Sequence, residues 1–517
     1  MKTQLLLLSL LLFSCDLFPQ ADKKRLFTVI NSSGSTRDPA TTTADGKQGF
    51  LIIGDSKSLG LSAKTVTVPS NICYEFTTTA TVNYTTASNF AYQYHLSTGY
   101  KPVIIPSGLS GSYIYGDATV RHWGDSDVLR SEAFAKANAF LTEQGLTKLE
   151  AIILVIGIND ASTNVSGNAP FNLSLVESGL TNLLNAINTA FPDTEILIEG
   201  LGQSFSAIPK DRVSRIRGFY RTEVENRPYL HFGASFMNAS SWGLYSGDGL
   251  HPSTAGYDYL GLLFNRSLMN KSYSKNARAI ISNHYDEISP ERKTLINNFI
   301  NTIGNQYNNI DALYMFKTSH NNNIYFDWSF TNTAIPQGGT FTVDSHIETT
   351  STTNYFRLSI DPSISWVKAS LNDWFMGAKL KDGKTAAGTL AYMFGAEDAT
   401  RKIQLAQHNT NYLFGYNNNN SLSRYNGATA FLDNTFYGAG SDGTKLHFTI
   451  NATDFNPIAD HVPTALVAKE VVLGGVRLNA GSVTLPYNGE YSYFVQCRYS
   501  ANRALIYSAL ETLIAAW

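Results

Sequence analysis

The chain has 517 residues, of which 39 are Lys or Arg and 41 are Asp or Glu, for a formal net charge of -2. A hydrophobic share of 43% excludes a disordered chain, and the near balance of charge excludes a global basic field for nucleic acid. Three cysteines exclude a disulfide scaffold and a zinc site with four cysteine ligands. Charged residues are only 15%, against about 25% in ordinary domains, and Asn, Ser, Thr, Gly and Tyr take their place. That composition suits an extracellular protein rich in strands and turns, with about three domains or fewer.

In chain order, Lys2 and the apolar run from Leu5 to Phe13 read as an export signal over residues 1–14. The run is too short to span a bilayer, which takes about 20 residues. Leu12-Phe13-Ser14-Cys15 resembles a bacterial lipoprotein lipobox, although Phe13 stands where a smaller residue is usual. The resemblance implies lipidation at Cys15, membrane attachment through that anchor alone, and a place on the outer surface or in the periplasm of a bacterium. The alternative is an ordinary cleaved signal and a secreted protein. Residues 15–45 are polar and read as a tether. Cys73 and Cys497 lie far apart in sequence and are expected as two unpaired, buried thiols.

Three short apolar runs then end at glycines: Gly49 to Ile53 before Gly54, Ala151 to Ile156 before Gly157, and Glu195 to Ile198 before Gly200. Such runs predict strands buried on both faces of a parallel sheet. Helical stripes alternate with them. Ala133, Phe134, Ala137, Phe140 and Leu141 precede a stop at Gly145; Leu180, Leu183, Leu184 and Ile187 form a second stripe; Val213, Ile216, Tyr220 and Val224 follow Pro209. Strand and helix alternating through residues 46–272 predict an open α/β sandwich.

Residues 273–284, with Tyr273-Ser274-Lys275-Asn276, read as a joint to a second unit over 285–517. Ser289 and Pro290 predict a helix start, and Leu295, Ile296, Phe299, Ile300 and Ile303 its buried face. Beyond Asp311 the pattern turns to strands: Phe341, Val343, Ser345 and Ile347 share one face, and Tyr355 to Ile360 follow. Turn clusters are expected at Asn417 to Asn420 and Gly438 to Gly443. Many short strands predict a β-sandwich, closed by a last helix from about Asn502 to Ala515.

The residues that carry chemistry fall in the first half. Gly54-Asp55-Ser56 follows the first buried strand, at the carboxyl edge where open α/β sheets form their sites. Gly108-Leu109-Ser110-Gly111 follows the apolar Val103-Ile104-Ile105, and Gly157-Ile158-Asn159-Asp160 follows the second strand. Asp248-Gly249-Leu250-His251-Pro252 precedes the domain's last helix. Together they offer a hydroxyl nucleophile, backbone and amide donors, and a carboxylate–imidazole pair, which is a complete set for acyl transfer.

These four blocks, in this order, resemble the SGNH or GDSL-like hydrolase family over about residues 46–272. The resemblance implies an α/β fold: a flavodoxin-like three-layer sandwich with a central parallel sheet. It further implies Ser56 as nucleophile, His251 as general base, Asp248 as its orienting partner, and an oxyanion hole of Ser56, Gly111 and Asn159, with Gly108 the alternative to Gly111. Lys57 departs from the name-giving motif, which has Leu there. The second half resembles concanavalin- or laminin-G-like jelly-roll modules of phage tail-like proteins, through Ser289-Pro290-Glu291-Arg292 and Asn309 to Tyr314.

Rival chemistries fail on spacing. Ser58 breaks a Gly-x-Ser-x-Gly elbow, and Ala378 stands where a phosphate loop ending in Gly383-Lys384-Thr385 needs glycine. No His-Glu-x-x-His or Cys-x-x-Cys motif occurs, so no metal and no cofactor is expected. His95 and His122-Trp123 are expected in structural roles, the latter near the cleft. The expectation is an exported serine esterase acting on an acylated polysaccharide or oligosaccharide, with no nucleic-acid partner. The alternatives are a non-catalytic glycan-binding surface protein or a phage tail-associated protein.

Overall fold

The structure is a computed structural model. It describes residues 38–517 apart from 116–120, 125–126, 163–170, 203–208, 237–242, 385–389, 418–422, 427–430, 456–466, 479–481 and the short gaps at 333–334, 338–339, 343, 351–352, 354, 359, 400, 409–410, 452 and 485. The export signal, Cys15 and most of the tether lie outside the described residues, as do Asn418 to Asn420.

The first half is built on seven strands: β1 (Lys47–Gly54), β2 (Tyr74–Phe76), β3 (Thr81–Asn83), β4 (Lys101–Gly108), β5 (Ala151–Val155), β6 (Ile196–Gly200) and β7 (Leu230–Ser235). Their order in the sheet is β3-β2-β4-β1-β5-β6-β7. Every pairing is parallel except that of β2 with β3 at the edge. The chain therefore runs outward from β1 to β4 and returns across β1 to β5. That reversal makes a doubly wound sheet with a crevice at the carboxyl ends of β1, β4 and β5.

Helices cover both faces because successive strand residues point to opposite sides. Leu51, Ile53, Ile152, Leu154, Ile196 and Ile198 face one core with Ala137 and Phe140 of one helix, Leu180 and Leu184 of a second, and Ile216 and Tyr220 of a third. Phe50, Ile52, Ile153, Val155 and Leu197 face the other, with Leu61, Phe90, Tyr94, Leu260 and Phe264. The helices are α1 (Ser56–Ser62), α2 (Asn89–Thr98), α3 (Asp127–Gln144), α4 (Leu173–Ala190), α5 (Lys210–Asn226) and α6 (Thr254–Met269). The three predicted stripes are α3, α4 and α5, and Gly145 ends α3 at a positive φ of 64°.

The expected joint is a correction. Residues Lys275–Ser282 form helix α7, with Ala277, Arg278, Ala279, Ile280, Ile281 and Ser282 all buried. Arg278 pairs with Glu195, next to β6, and Lys275 Nζ donates to the carbonyls of Val224 and Arg227 at the end of α5. Polar residues suggested a linker, but the cations are caps for the first half.

Helix α8 (Pro290–Ile303) starts as predicted, with Ser289 accepting from the Arg292 N–H. Two mainly antiparallel sheets follow, of eight and nine strands. Their facing side chains, among them Trp374, Met376, Tyr437 and Phe494 from one and Phe394, Ile403 and Leu405 from the other, make a sandwich core. The eight-stranded sheet alternates: Tyr493, Val495 and Cys497 turn away from the sandwich toward α8 and the last helix, α9 (Arg503–Ala516). That layer belongs to the same core as α3 to α5, so the two halves share apolar packing. Cys73 and Cys497 are both buried and free.

Two local expectations change. The alternation from Phe341 to Ile347 predicts one strand; instead Thr340–Thr342 and His346–Thr349 pair as a hairpin, with Asp344 in the turn at φ 55°. Gly438 is no turn residue but lies inside the strand Phe436–Ser441, where a Cβ would stand 2.4 Å from the Phe375 ring. The pattern marks glycine as a turn signal, while here it makes room for an aromatic ring on the neighbouring strand.

Candidate active site

Strand β1 delivers Ser56 to the carboxyl edge through a tight turn. Gly54 has φ 147°, and a Cβ there would meet the Val155 carbonyl oxygen at 1.8 Å, so only glycine lets β1 end against β5 this closely. Asp55 then caps α1 by accepting the Lys57 N–H at 3.0 Å. Ser56 is the first residue of the helix and is half-buried.

The loop before α6 supplies the other two groups. It closes on itself, with Ser246 N–H donating to the His251 carbonyl at 2.8 Å and Tyr245 bridged to Pro252. Asp248 organises it: Oδ1 accepts from Ser246 Oγ, Leu250 N–H and His251 N–H at 2.6, 2.9 and 3.0 Å. Its Oδ2 stands 2.7 Å from His251 Nδ1. Burial is the largest single influence on the Asp248 carboxyl and raises it, but the bonds from Ser246, His251 and Leu250 together outweigh it and hold the group well below the usual carboxylate range. An ionised Asp248 can only accept, so the proton of the neutral imidazole sits on Nδ1. That leaves Nε2 as acceptor, 2.8 Å from Ser56 Oγ. A set arranged in this way can move the serine proton to the imidazole while the carboxylate steadies the resulting cation.

Gly111 and Asn159 lie at the ends of the neighbouring strands. Gly111 follows β4 with φ 71° and open space around the position of a Cβ. Gly108, its alternative, is still in β4, and a Cβ there would stand 1.9 Å from Ser58 Oγ, so packing against α1 already requires this glycine. Asn159 is buried in a short helical turn after β5 and donates one Nδ2–H to the Ser112 carbonyl at 2.8 Å. Asp160 ties the same turn to the Gly111 loop by accepting the N–H groups of Ile114 and Tyr115 at 2.9 and 3.3 Å. Burial pushes its carboxyl up to about 7. The structure thus brings Ser56, His251 and Asp248 into direct contact. Among the described residues, no hydrogen bond joins Gly111 or Asn159 to those three.

Two of the leftover candidates, Trp123 and His95, are held by structural hydrogen bonds. Trp123 is buried and donates Nε1–H to Ser112 Oγ, and His95 Nδ1 lies 2.8 Å from the Tyr100 carbonyl. Sequence spacing misses one feature. Lys57, at the position that departs from the motif, is wholly buried and paired with Glu199 near the end of β6. The one available signal is a lysine directly behind a buried strand, where a charge has to find a partner.

Fold and site together define an α/β protein with a Ser-His-Asp constellation at the switch point of its sheet, joined to a β-sandwich. No family model matches the chain, and no curated protein matches it. Among solved structures, NanS is similar at 11% identity and a TM-score of 0.34, over 45% of this chain and 98% of that one. A protein from Arabidopsis thaliana is similar at 12% identity and a TM-score of 0.33, over 44% and 98%. Domain 4 of a GH43 extracellular arabinanase from Geobacillus stearothermophilus, solved with arabinotriose, is similar at 15% identity and a TM-score of 0.28, over 39% and 97%. At these TM-scores the likenesses carry no inference about function.

Proposed function

We propose that the chain is an exported serine esterase of the SGNH type that hydrolyses ester bonds, O-acetyl groups on a carbohydrate above all. The observation that carries the reading is the unbroken relay from Ser56 Oγ to His251 Nε2 at 2.8 Å and from His251 Nδ1 to Asp248 Oδ2 at 2.7 Å. Ser56 Oγ attacks the acyl carbonyl as Nε2 takes its proton. The oxyanion is held by the Ser56 N–H with Gly111 and Asn159. The Nε2–H of the imidazolium then protonates the departing sugar oxygen, which leaves as a free hydroxyl. Water, deprotonated by His251, releases the acyl group from Ser56 and restores the free hydroxyl. The sugar half of the reading draws on the appended sandwich, which resembles jelly-roll modules. Export draws on the leader, and a lipid anchor on Cys15.

The test is turnover by purified protein on acetylated glycans and on p-nitrophenyl esters of increasing chain length. Wild type should cleave short esters, a serine-reactive phosphonate should label Ser56 alone, and Ser56→Ala should abolish both. Full turnover in Ser56→Ala sinks the mechanism. Binding of glycan with no hydrolysis of any ester favours a non-catalytic glycan-binding surface protein instead.

A further inference from the structure

Behind the nucleophile turn lies an ion pair that the relay does not use. Lys57 Nζ stands 2.8 and 2.6 Å from the two carboxylate oxygens of Glu199, and both side chains are 0% exposed. Lys57 is the residue next to Ser56, so its side chain leaves the same turn that presents the hydroxyl. Its backbone N–H is held by Asp55 and its ammonium by Glu199, which fixes the residue at both ends.

Glu199 is placed with equal care. The pairing of β6 with β7 slips at this point: Ile198 pairs with Phe232, but Glu199 pairs with Ala234, leaving Gly233 out. The extra residue belongs to β7, so β6 keeps its alternation and Glu199 shares the face of Leu197, the face that α1 covers. The carboxylate also feels Asp55 and Arg217, so the pair sits in a small buried network of charge under the site.

Stability is a poor reason for such a pair. Removing two charges from water costs about as much as their attraction returns, and apolar residues of like volume generally do as well. A buried pair does fix geometry, because each charge tolerates few positions for its partner. Helix α1 has only seven residues and holds its first turn weakly by itself.

We infer that the Lys57–Glu199 pair is a positioning element that holds Ser56 Oγ in reach of His251 Nε2, an inference that rests on the reading of Ser56 as nucleophile. The pair touches no substrate; it acts through the turn.

The test compares full-length wild type, Lys57→Met, Glu199→Gln and the double variant by thermal melting and by kcat and KM on a short p-nitrophenyl ester. Each single variant leaves a buried charge or carboxamide mismatched and should melt early. The double variant should regain most of that stability and still lose kcat by about 100-fold, with KM little changed, since a misplacement of about 1 Å costs that much. A double variant with both stability and kcat restored overturns the inference, because a purely structural pair would behave so. If the double variant does not fold, Glu199→Asp decides: it keeps the charge and withdraws it by one methylene. A loss of kcat in folded Glu199→Asp supports positioning, and wild-type kcat overturns it.

A second readout needs no turnover. The 15N signal of His251 Nε2 reports the bond from Ser56, and Ser56→Ala gives its value without that bond. The double variant, or Glu199→Asp, should shift toward the Ser56→Ala value; a wild-type value overturns the inference. Wild type that cleaves no ester would sink the proposed function, while this comparison would still judge the pair.

Discussion

Asp248 and His251 are three residues apart, yet the carboxylate reaches the imidazole, with Oδ2 2.7 Å from Nδ1, while Oδ1 takes the backbone N–H of the same histidine. One carboxyl therefore fixes both the position of His251 and the nitrogen that carries its proton. Asp248→Asn keeps the size but presents an N–H to one side of that arrangement. The expected outcome is a fall in kcat of about four orders of magnitude on p-nitrophenyl acetate, with the melting temperature nearly held. A fall of less than tenfold would mean that another group orients the imidazole.

The oxyanion donors are tested from Asn159. Its side chain already spans to the Ser112 carbonyl, so the amide is held in one orientation before any substrate arrives. Asn159→Ala should lower kcat by about 100- to 1,000-fold with little change in KM, as loss of one preorganised donor does. A change confined to KM would place Asn159 in ground-state binding instead.

Legibility followed local chemistry. Strands β1, β5 and β6 were readable because each is a continuous apolar run ending near a glycine, and the first and third blocks fell at the carboxyl ends of β1 and β5. Asp248 and His251 were readable because four consecutive residues of one loop hold the whole pair. Long-range pairing was not readable. Nothing near Lys57 names Glu199, which is 142 residues away, and nothing near Lys275 shows that its ammonium caps α5. Those partners are chosen by the sheet order, which emerges only when the strands are assembled. The buried helix α7 escaped for the same reason: its cations look like a solvated linker until their acceptors are in place.

The shared core bears on how the halves unfold. Arg221 of α5 is buried, and its guanidinium donates to the carbonyls of Tyr307 and Ile310 while its Nε pairs with Glu225 at 2.8 Å. Glu225 in turn meets Lys368 at 2.6 Å, and Phe232 stacks on Phe330 with centroids 4.7 Å apart. Arg221→Met leaves two carbonyls without their donor and should cost about 3–5 kcal/mol. Residues 46–272 expressed alone should be unstable and inactive, because the cut uncovers the face that α7 and α8 pack against. Calorimetry of the whole chain should show one transition. A truncated first half that stays folded and cleaves small esters would show instead that the second half is an accessory.

Acid should act on His284. This residue follows α7, is 1% exposed, and packs among Phe326, Trp328 and Trp517 with centroids 5.8, 5.8 and 6.4 Å away. Burial pushes its pKa well below the usual histidine value; Asp286 opposes the shift, and Arg266 and Arg292 add to it. The unfolded chain takes up a proton near the usual value of about 6.5, while the folded chain refuses it until lower pH. The stability this neutral ring allows is thus fully present above about pH 6.5 and is lost as pH falls toward the depressed folded value. Other groups move the profile too. Asp160, with its carboxyl pushed up, has the opposite sign, and His231, lowered to about 4 mainly by burial, has the same sign. The difference between two proteins isolates one residue. His284→Phe offers the aromatic surroundings a ring that cannot be charged. Between pH 7 and pH 4.5 it should lose about 2 kcal/mol less stability than wild type in urea titrations. Parallel pH profiles for the two proteins would show that His284 takes no part in acid unfolding.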